Sequence, residues 1–332
     1  MRTAFPGPRG RGADGRIHVV DDVSFGLERG EVLALVGESG SGKSMTALSI
    51  LRLVPKPGRV VAGEVRLAGE DLIGLSVSAM RRVRGKRIAM IFQEPMTALN
   101  PVVRVGDQVI EAIRLHEPVS QADARARARA LFAEVGIPDP EARLDAYPHQ
   151  LSGGLKQRVM IAMALSTRPE ILIADEPTTA LDVTIQAQIL GLLRKLQRER
   201  GTAILLITHD LGIVNELADH IAVMYAGRIV ELAPRDALFA APLHPYTRGL
   251  LAAIPALATP GTRLHEIPGT VPSAGRWPRG CRFAPRCSQR IAICEVDDPA
   301  ETIGAGGRRV YCHVVTPSEA AGASAPDGKG GR

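Results

Sequence analysis

The sequence predicts an α/β fold with a parallel sheet at its core. Three short, uninterrupted apolar runs, at 32–36, 171–174 and 203–207, are typical of strands that are buried on both faces. Helical segments at 44–53 and 183–199 follow the first two of these runs along the chain. Because neighbouring parallel strands need a long crossover, usually a helix, this alternation favours the α/β class.

The remaining elements are predicted in chain order. Further strands are expected at 60–67, 87–92, 221–225 and 229–232, the last two forming a hairpin. Residues 105–165 are polar and helical, which predicts an inserted helical subdomain. Residues 1–16 are rich in Gly, Pro and Arg and are expected to be loose.

The periodic pattern fades after about residue 240. Pro, Gly and all four cysteines then dominate, up to a Gly/Ala/Ser-rich tail that we expect to be disordered. The predicted organisation is a main domain at 1–240, an irregular C-terminal extension at 241–317 and a disordered tail at 318–332.

Composition narrows the classes of function. The 332 residues suffice for one large domain or two smaller ones. The chain has neither an apolar run as long as a membrane span nor the apolar core of a signal peptide, so we expect a cytosolic protein. The net charge of +6 is mild and fits a solvated Arg-rich surface or attraction to an anionic membrane face. Without a long basic run or aromatic–basic interleaving, no nucleic-acid partner is expected.

One glycine-rich loop has the pattern of a phosphate-binding loop, G-x-x-x-x-G-K-[ST], between a predicted strand and a predicted helix. Its residues are Gly37, Glu38, Ser39, Gly40, Ser41, Gly42, Lys43 and Ser44. Its backbone N–H groups would surround the phosphates of ATP, Lys43 would reach the β- and γ-phosphates, and Ser44 would bind Mg²⁺. A plain glycine-rich turn would not require the Lys-Ser pair.

A second anion-binding element lies at 151–158, with the sequence Leu-Ser-Gly-Gly-Leu-Lys-Gln-Arg. Ser152 is a natural N-cap for the apolar helical stretch that follows, and Gly153 and Gly154 let another backbone approach closely. A helix N-terminus binds anions through its free N–H groups. Two such elements in one chain indicate that each serves a different nucleotide, as in a dimer with ATP between its subunits.

Polar residues that end three predicted strands complete the candidate site. Asp175 and Glu176 follow the run at 171–174, where Asp175 would hold Mg²⁺ and Glu176 would act as general base toward water. Gln93 would bind Mg²⁺ and orient water, and His209 would contact the transition state. Taken singly, each has an ordinary interpretation: an acidic N-cap pair, a polar strand end or a turn histidine.

Together these motifs resemble the ATP-binding subunit of ABC transporters over about residues 17–235. The resemblance implies the P-loop NTPase fold of ABC ATPases, with an antiparallel β subdomain and a helical insertion. It also implies a head-to-tail dimer in which Ser152, Gly153 and Gly154 contact the γ-phosphate held by Lys43 of the other subunit. Asp182 would lie in a loop at that dimer interface.

Three further segments, at 92–101, 244–248 and 267–272, resemble the dipeptide and oligopeptide importer branch of this family. The branch implies two membrane permease subunits, an extracytoplasmic solute-binding protein in the same system, and a sister ATPase or a second copy as dimer mate. Residues 94–101 would meet the permease. We therefore expect a peripheral ATPase on the cytoplasmic face of the inner membrane, with a cargo that the sequence does not name.

The four cysteines all lie in the C-terminal extension, at Cys281, Cys287, Cys294 and Cys312. The same branch carries a similar cluster that is associated with a four-iron, four-sulfur (4Fe–4S) centre, and four thiolates suit such a centre. Zinc and unmetallated buried thiols are the alternatives; zinc sites with four cysteines usually contain closely spaced pairs, which are absent from this sequence. Disulfides are disfavoured in the cytosol.

The N-terminus departs from the family pattern. A strand usually precedes the aromatic residue that stacks on adenine, but here Phe5, the best candidate for that residue, follows Met1 by only four positions. One interpretation is that the start is shortened. Phe5 would either stack on adenine or belong to a loose tail.

Two other functions compete with a transporter ATPase. One is a soluble ABC-type ATPase acting on nucleic acid or ribosomes, but such proteins commonly have two cassettes or long insertions that this chain lacks. The other is a non-catalytic interaction module, which the intact Lys43, Glu176 and His209 argue against.

Overall fold

The computed structural model describes residues 1–7, 15–93, 98–179, 181–254 and 266–322. The chain divides into two compact units. The first consists of Met1–Gly26, Leu33–Ile73 and Thr208–Arg332, and the second of Leu27–Val32 and Gly74–Ile207. The C-terminal extension therefore belongs to the same unit as the phosphate-binding loop.

The strands and helices follow the predicted alternation. The strands are β1 (Arg2–Pro6), β2 (Arg16–Val20), β3 (Val32–Val36), β4 (Arg59–Ala62), β5 (Arg66–Leu67), β6 (Glu70–Asp71), β7 (Ile88–Ile91), β8 (Ile171–Asp175), β9 (Ala203–Thr208), β10 (His220–Tyr225), β11 (Arg228–Pro234), β12 (Glu301–Ile303) and β13 (Arg309–Tyr311). The helices are α1 (Lys43–Ile50), α2 (Val77–Val83), α3 (Val105–His116), α4 (Gln121–Glu134), α5 (Pro140–Leu144), α6 (Gly153–Leu165), α7 (Val183–Arg200), α8 (Leu211–Leu217), α9 (Arg235–Ala240), α10 (Pro245–Ala252), α11 (Ile293–Val296) and α12 (Pro317–Gly322).

In the first unit, strands run in the order β12-β13-β11-β10-β3. Strands β3 and β10 are parallel, whereas β10 and β11 form the predicted hairpin, with Tyr225 paired to Arg228. All five residues of β3 are buried, as the continuous apolar run predicts. The phosphate-binding loop leaves the carboxyl end of this buried strand and leads directly into α1.

A separate antiparallel sheet, β2-β1-β4, corrects the prediction of a loose N-terminus at 2–6 and at Arg16, whereas residues 8–14 lie outside the described part of the chain. Strand β1 pairs with β2 on one side and β4 on the other. The buried Thr3 hydroxyl lies 2.7 Å from that of Ser49, and the amino group of Met1 donates to the carbonyl of Val23. These residues are ordered by partners elsewhere in the chain, and the local amino-acid composition does not indicate those partners.

The predicted strand at 60–67 is interrupted at Gly63, which separates β4 from β5. Gly63 has a φ of +84°, and a Cβ atom there would lie 2.6 Å from the Cα of Met1. Only glycine therefore suits this position, because a side chain would meet both backbone strain and the first residue of the chain.

In the second unit, β7, β8 and β9 are adjacent and parallel, in the order β9-β8-β7. Helices α3 to α6 occupy the stretch predicted as helical at 105–165. Their apolar faces supply buried side chains such as Val109, Phe132 and Val159, each 0% exposed. The described helices include none that is long and apolar enough to cross a bilayer.

The extension shares the hydrophobic core of the first unit. Phe283 and Cys281 are buried in one cluster with Val36 of β3, Tyr225 of β10 and Tyr246 of α10. The C-terminal extension is therefore packed onto the strand that carries the phosphate-binding loop.

The tail that we predicted to be disordered from residue 318 begins instead with helix α12. Thr316 and Glu319 cap it reciprocally: the Glu319 amide donates to Thr316 Oγ1 at 3.3 Å, and the Thr316 amide donates to Glu319 Oε2 at 2.8 Å. Ala320 is buried against Val310 and Cys312. The prediction was wrong at 318–322 because this capping box was not recognised; residues 323–332 lie outside the described part of the chain.

Candidate functional site

The phosphate-binding loop has the backbone conformation that its glycines allow. Gly37 has a φ of +151°, and a Cβ atom there would lie 2.1 Å from the carbonyl oxygen of Met224. Gly42 has a φ of +106°, and a Cβ atom there would lie 2.9 Å from the carbonyl oxygen of Val19. The buried Lys43 ammonium donates to the carbonyl oxygens of Gly37 (2.7 Å) and Glu38 (3.1 Å), which holds it within the curve of the loop.

The remaining residues of the phosphate-binding loop are Ser39, Gly40, Ser41 and Ser44. Gly40 has a φ of +79°, and Ser39 precedes it at an exposed position. The carbonyl of the buried Ser41 accepts a hydrogen bond from the amide of Gly227 at 2.8 Å. Ser44 lies in the first turn of α1, directly after Lys43.

Glu38 is attached to the C-terminal extension. Its amide donates to the hydroxyl of Tyr246 at 2.9 Å. Its two carboxylate oxygens accept from Nη1 and Nη2 of Arg286, each at 3.0 Å. The segment containing Tyr246, His-Pro-Tyr-Thr-Arg at 244–248, is a branch signature in the sequence, but sequence reasoning assigned no role to Tyr246 or Arg286.

In the second unit, the predicted catalytic residues at two strand ends meet. The Gln93 amide nitrogen donates to Glu176 Oε2 at 2.9 Å, and the Thr179 hydroxyl donates to the same oxygen at 2.9 Å. Glu176 has a φ of +48°, a strained conformation for a residue with a side chain, and such strain is frequent at active sites. Asp175, 3% exposed, ends β8 beside it. Sequence reasoning missed Thr179.

The Leu-Ser-Gly-Gly stretch forms the N-terminus of α6. Ser152 is the N-cap, and its hydroxyl accepts from the amide of Leu155 at 3.4 Å. Ser152 and Gly153 are exposed, so the end of this helix that carries the free N–H groups faces solvent. One turn later, the buried Gln157 donates to the carbonyl of Pro177 at 2.8 Å, tying α6 to the loop that follows Glu176.

Asp182 caps helix α7 by accepting from the amide of Ile185 at 2.9 Å. Both Asp182 and Val183, which is 83% exposed, are open to solvent. An exposed, rigidly capped turn with an apolar side chain is suited to an interface.

The two remaining single residues have different surroundings. His209 is exposed and directly follows β9 along the chain; His209 itself belongs to the first unit. Phe5 is half-buried in β1, opposite Ile17 of β2. A Cβ atom on Gly58 would lie 2.5 Å from the Phe5 ring, so the ring packs on the Gly58 backbone. Its stacking on adenine stays a prediction.

The four cysteines are free thiols, and three of them are buried. The Cys281 amide donates to the carbonyl of Cys294 at 2.9 Å. Burial, with a smaller contribution from the neighbouring thiols, raises the pKa of Cys281 and Cys287 above the usual range and that of Cys312 to about 11. Nevertheless, the described residues contain no group of three or more Cys, His, Asp or Glu side chains arranged to hold a metal ion.

Two helix N-termini suited to phosphate, one in each unit, set the class of protein. A phosphate-binding loop occurs in many nucleotide-binding proteins, but the N-terminus of α6, with Ser152 and Gly153 exposed, is a second helix end of the kind that suits anions. On an α/β fold, this combination defines an ATP-binding cassette.

Comparison with known proteins agrees with this class. The family model described as "ABC transporter" matches residues 20–179, and that described as "Oligopeptide/dipeptide transporter, C-terminal region" matches residues 230–294. The chain is 51% identical to the dipeptide transport ATP-binding protein DppD of Escherichia coli, over 89% of this chain and 90% of that protein. It is 53% identical to a Brucella abortus protein named for peptide import, over 92% of both chains.

A solved structure shows the same fold. The ATP-binding cassette MJ0796, a dimer in a post-hydrolysis state with ADP and Pi, matches with a TM-score of 0.61 and 26% identity, over 71% of this chain and 99% of that one. The chain belongs to the ABC transporter family, in the dipeptide/oligopeptide branch of its ATP-binding subunits. Its reaction is ATP hydrolysis.

Proposed function

We propose that this chain is the ATP-hydrolysing subunit that powers import of dipeptides, oligopeptides or related solutes through a membrane transporter. The observation that carries the proposal is the match of residues 230–294 to the C-terminal region of oligopeptide and dipeptide transporters. The high identity to dipeptide and peptide import relatives over about nine-tenths of the chain supports the same cargo class.

The working form is a dimer with ATP between its subunits. The support is the solvent-facing N-terminus of α6, where Ser152, Gly153 and Gly154 offer N–H groups that the phosphate of the chain's own loop does not require. The exposed Asp182 turn is suited to the same interface. The mate is a sister ATPase or a second copy of this chain.

Each site residue then has a distinct role in hydrolysis. Lys43 and the loop amides bind the β- and γ-phosphates, and their fixed positive charge opposes the negative charge of the transition state. Glu176, oriented by Gln93 and Thr179, takes a proton from the attacking water. His209 contacts the γ-phosphate.

The oxygen-donating side chains Ser44, Asp175 and Gln93 suit Mg²⁺, which prefers such ligands. Asp175 is a buried carboxylate at a strand end, and the contact of Gln93 with Glu176 uses its amide nitrogen, so its amide oxygen is the atom for the metal. When bound, Mg²⁺ neutralises phosphate charge.

The partners follow from the cargo class. Two permease subunits and an extracytoplasmic solute-binding protein complete the system, and the chain lies peripherally on the cytoplasmic face of the inner membrane. Residues 94–101 are the proposed permease contact; 94–97 of these lie outside the described residues, whereas Leu99 is buried and Asn100 is exposed.

The catalytic part is tested with Glu176→Gln and Lys43→Ala. We expect Glu176→Gln to bind ATP and to hydrolyse it about 100-fold or more slowly, because the amide cannot accept the proton. Lys43→Ala is expected to weaken ATP binding or hydrolysis, since the phosphates lose their cation. Normal turnover in Glu176→Gln would refute the assigned base. The transport part is tested by affinity purification: permease subunits are expected, and RNA or ribosomes instead would refute it.

A 4Fe–4S centre at Cys281, Cys287, Cys294 and Cys312 is a further part of the proposal. The donor type fits, and the proposal is supported by the packing of Cys281, Cys287 and Cys294 in one cluster, where the Cys281 amide donates to the carbonyl of Cys294. Each thiolate of a four-iron cluster binds a different iron, so the sulfur atoms need not converge on one point as around zinc. Iron and sulfide analysis after anaerobic purification tests it; one equivalent of zinc without iron would refute it.

A further inference from the structure

The phosphate-binding loop carries an acidic residue, Glu38, at its second position. A carboxylate there has the wrong charge for a loop that binds a triphosphate. In the structure both of its oxygens are occupied by the guanidinium of Arg286, in the two-pronged geometry that is the strongest form of this ion pair. Arg286 lies in the C-terminal extension, 248 residues away along the chain.

Contacts other than the ion pair with Glu38 hold the Arg286 side chain in place. Its side chain is only 5% exposed. Its Nε donates to the carbonyl of Pro268 at 2.8 Å and its Nη2 to that of Ile267 at 3.2 Å. The guanidinium also lies 5.8 Å from the centre of the Tyr225 ring. Because these contacts already fix the side chain, forming the ion pair costs little further conformational entropy.

Tyr246 fixes the backbone of the same loop residue. Its hydroxyl accepts the hydrogen bond from the Glu38 amide, and the residue is 0% exposed. Its ring packs edge-on against Tyr225, with 4.6 Å between ring centres, and lies 5.3 Å from Phe283. A hydroxyl on a ring packed in this way cannot follow a moving loop, so it restrains the loop at this amide.

We infer that Arg286 and Tyr246 are positioning residues for ATP binding: the C-terminal extension neutralises and fixes the second residue of the phosphate-binding loop and thereby sets nucleotide affinity. The inference rests on the ATP-driven function proposed above. Without Arg286, the Glu38 carboxylate is left unpaired beside the position of the triphosphate and repels it. Without the Tyr246 hydroxyl, the loop keeps its charge balance but loses one anchor.

A purely structural role of Arg286 and a positioning role lead to different expected results. If Arg286 only stabilises the fold, removing the Glu38 charge cannot repair its loss. If Arg286 acts by neutralising Glu38, the harm done by Arg286→Ala depends on that carboxylate and also decreases as salt screens it. The double variant Glu38→Gln/Arg286→Ala separates the two roles.

The experiment measures the dissociation constant of the full-length chain for a fluorescent ATP analogue with Mg²⁺, at low and high salt. We expect Arg286→Ala to bind about tenfold more weakly, the effect of losing one partly buried charge pair. The double variant is expected to bind about as tightly as Glu38→Gln alone, within about twofold. Arg290→Ala is the matched control, because its partner Glu295 is exposed and belongs to the extension.

Tyr246→Phe provides a second measurement, since it removes one oxygen and preserves the packed ring. We expect about fivefold weaker binding, from the loss of one hydrogen bond. A double variant as weak as Arg286→Ala, or wild-type affinity in both Arg286→Ala and Tyr246→Phe, would overturn the inference. Absence of ATP binding in the wild-type chain would instead refute the proposed function.

Discussion

His244 links acid pH to the stability of the unit that holds the phosphate-binding loop. It is 1% exposed and caps helix α10, where its Nδ1 accepts from the amide of Tyr246 at 3.0 Å. Its own amide donates to the buried carboxylate of Glu231 at 2.9 Å. Burial, with a smaller contribution from the positive charge of Arg248, lowers the pKa of His244 to about 3. The folded protein therefore keeps this imidazole neutral at pH 7.

The magnitude follows from the difference between the folded and unfolded pKa values. In the unfolded chain His244 protonates near pH 6.5, whereas in the folded chain it does so only near pH 3. Between these values the unfolded state binds more protons, so stability is complete above pH 6.5 and falls as the pH drops through this window. At pH 5 the loss is about 2 kcal/mol, from 1.5 pH units at 1.36 kcal/mol each.

The assay compares wild type with His244→Asn by urea unfolding at pH 7 and pH 5. Asparagine is a good N-cap, and its side-chain oxygen can accept from the Tyr246 amide without titrating. We expect the wild type to lose about 2 kcal/mol more than the variant between the two pH values. His149→Gln, at an exposed position, is the control and is expected to keep the wild-type pH dependence. Equal pH dependence in wild type and His244→Asn would refute the reasoning.

Three further outcomes follow from buried or catalytic contacts. Arg308→Met leaves the carboxylate of Glu231, 0% exposed, without its cation and is expected to cost about 3–5 kcal/mol in urea unfolding. Adding Glu231→Gln should recover more than half of this loss; no recovery would contradict a charge effect. Gln157→Leu leaves a buried carbonyl without its donor, with an expected loss of about 1–3 kcal/mol and slower ATP hydrolysis. Gln93→Ala removes one of the donors to Glu176 Oε2 and is expected to lower kcat about tenfold, and an unchanged kcat would remove Gln93 from the mechanism.

Elements whose signal is local were predictable. The apolar runs form β3, β8 and β9, and the polar stretch at 105–165 forms helices. Both were predictable because strand burial and helical periodicity can be recognised in consecutive residues. The phosphate-binding loop was equally predictable, since its glycines and Lys43 lie within eight positions of the chain. The class of protein followed from these motifs alone.

Elements stabilised by distant partners were not predictable. Strand β1 looked like a loose terminus because its order comes from pairing with β2 and β4. Helix α12 was missed for a different reason, since its capping box is local and was not recognised. The contact between Gln93 and Glu176 was expected only in general terms, as two polar strand ends of one parallel sheet.

The residues alone predicted an ATP-binding chain and the side chains that we propose for its chemistry, because each of those motifs is short and contiguous. The surroundings of these motifs depend on how the chain folds. The carboxylate of Glu38 is neutralised by Arg286, 248 residues away, and its amide is anchored by Tyr246, 208 residues away. Such pairs leave no pattern in consecutive residues, since they form only when the C-terminal extension packs onto the strands beside the loop.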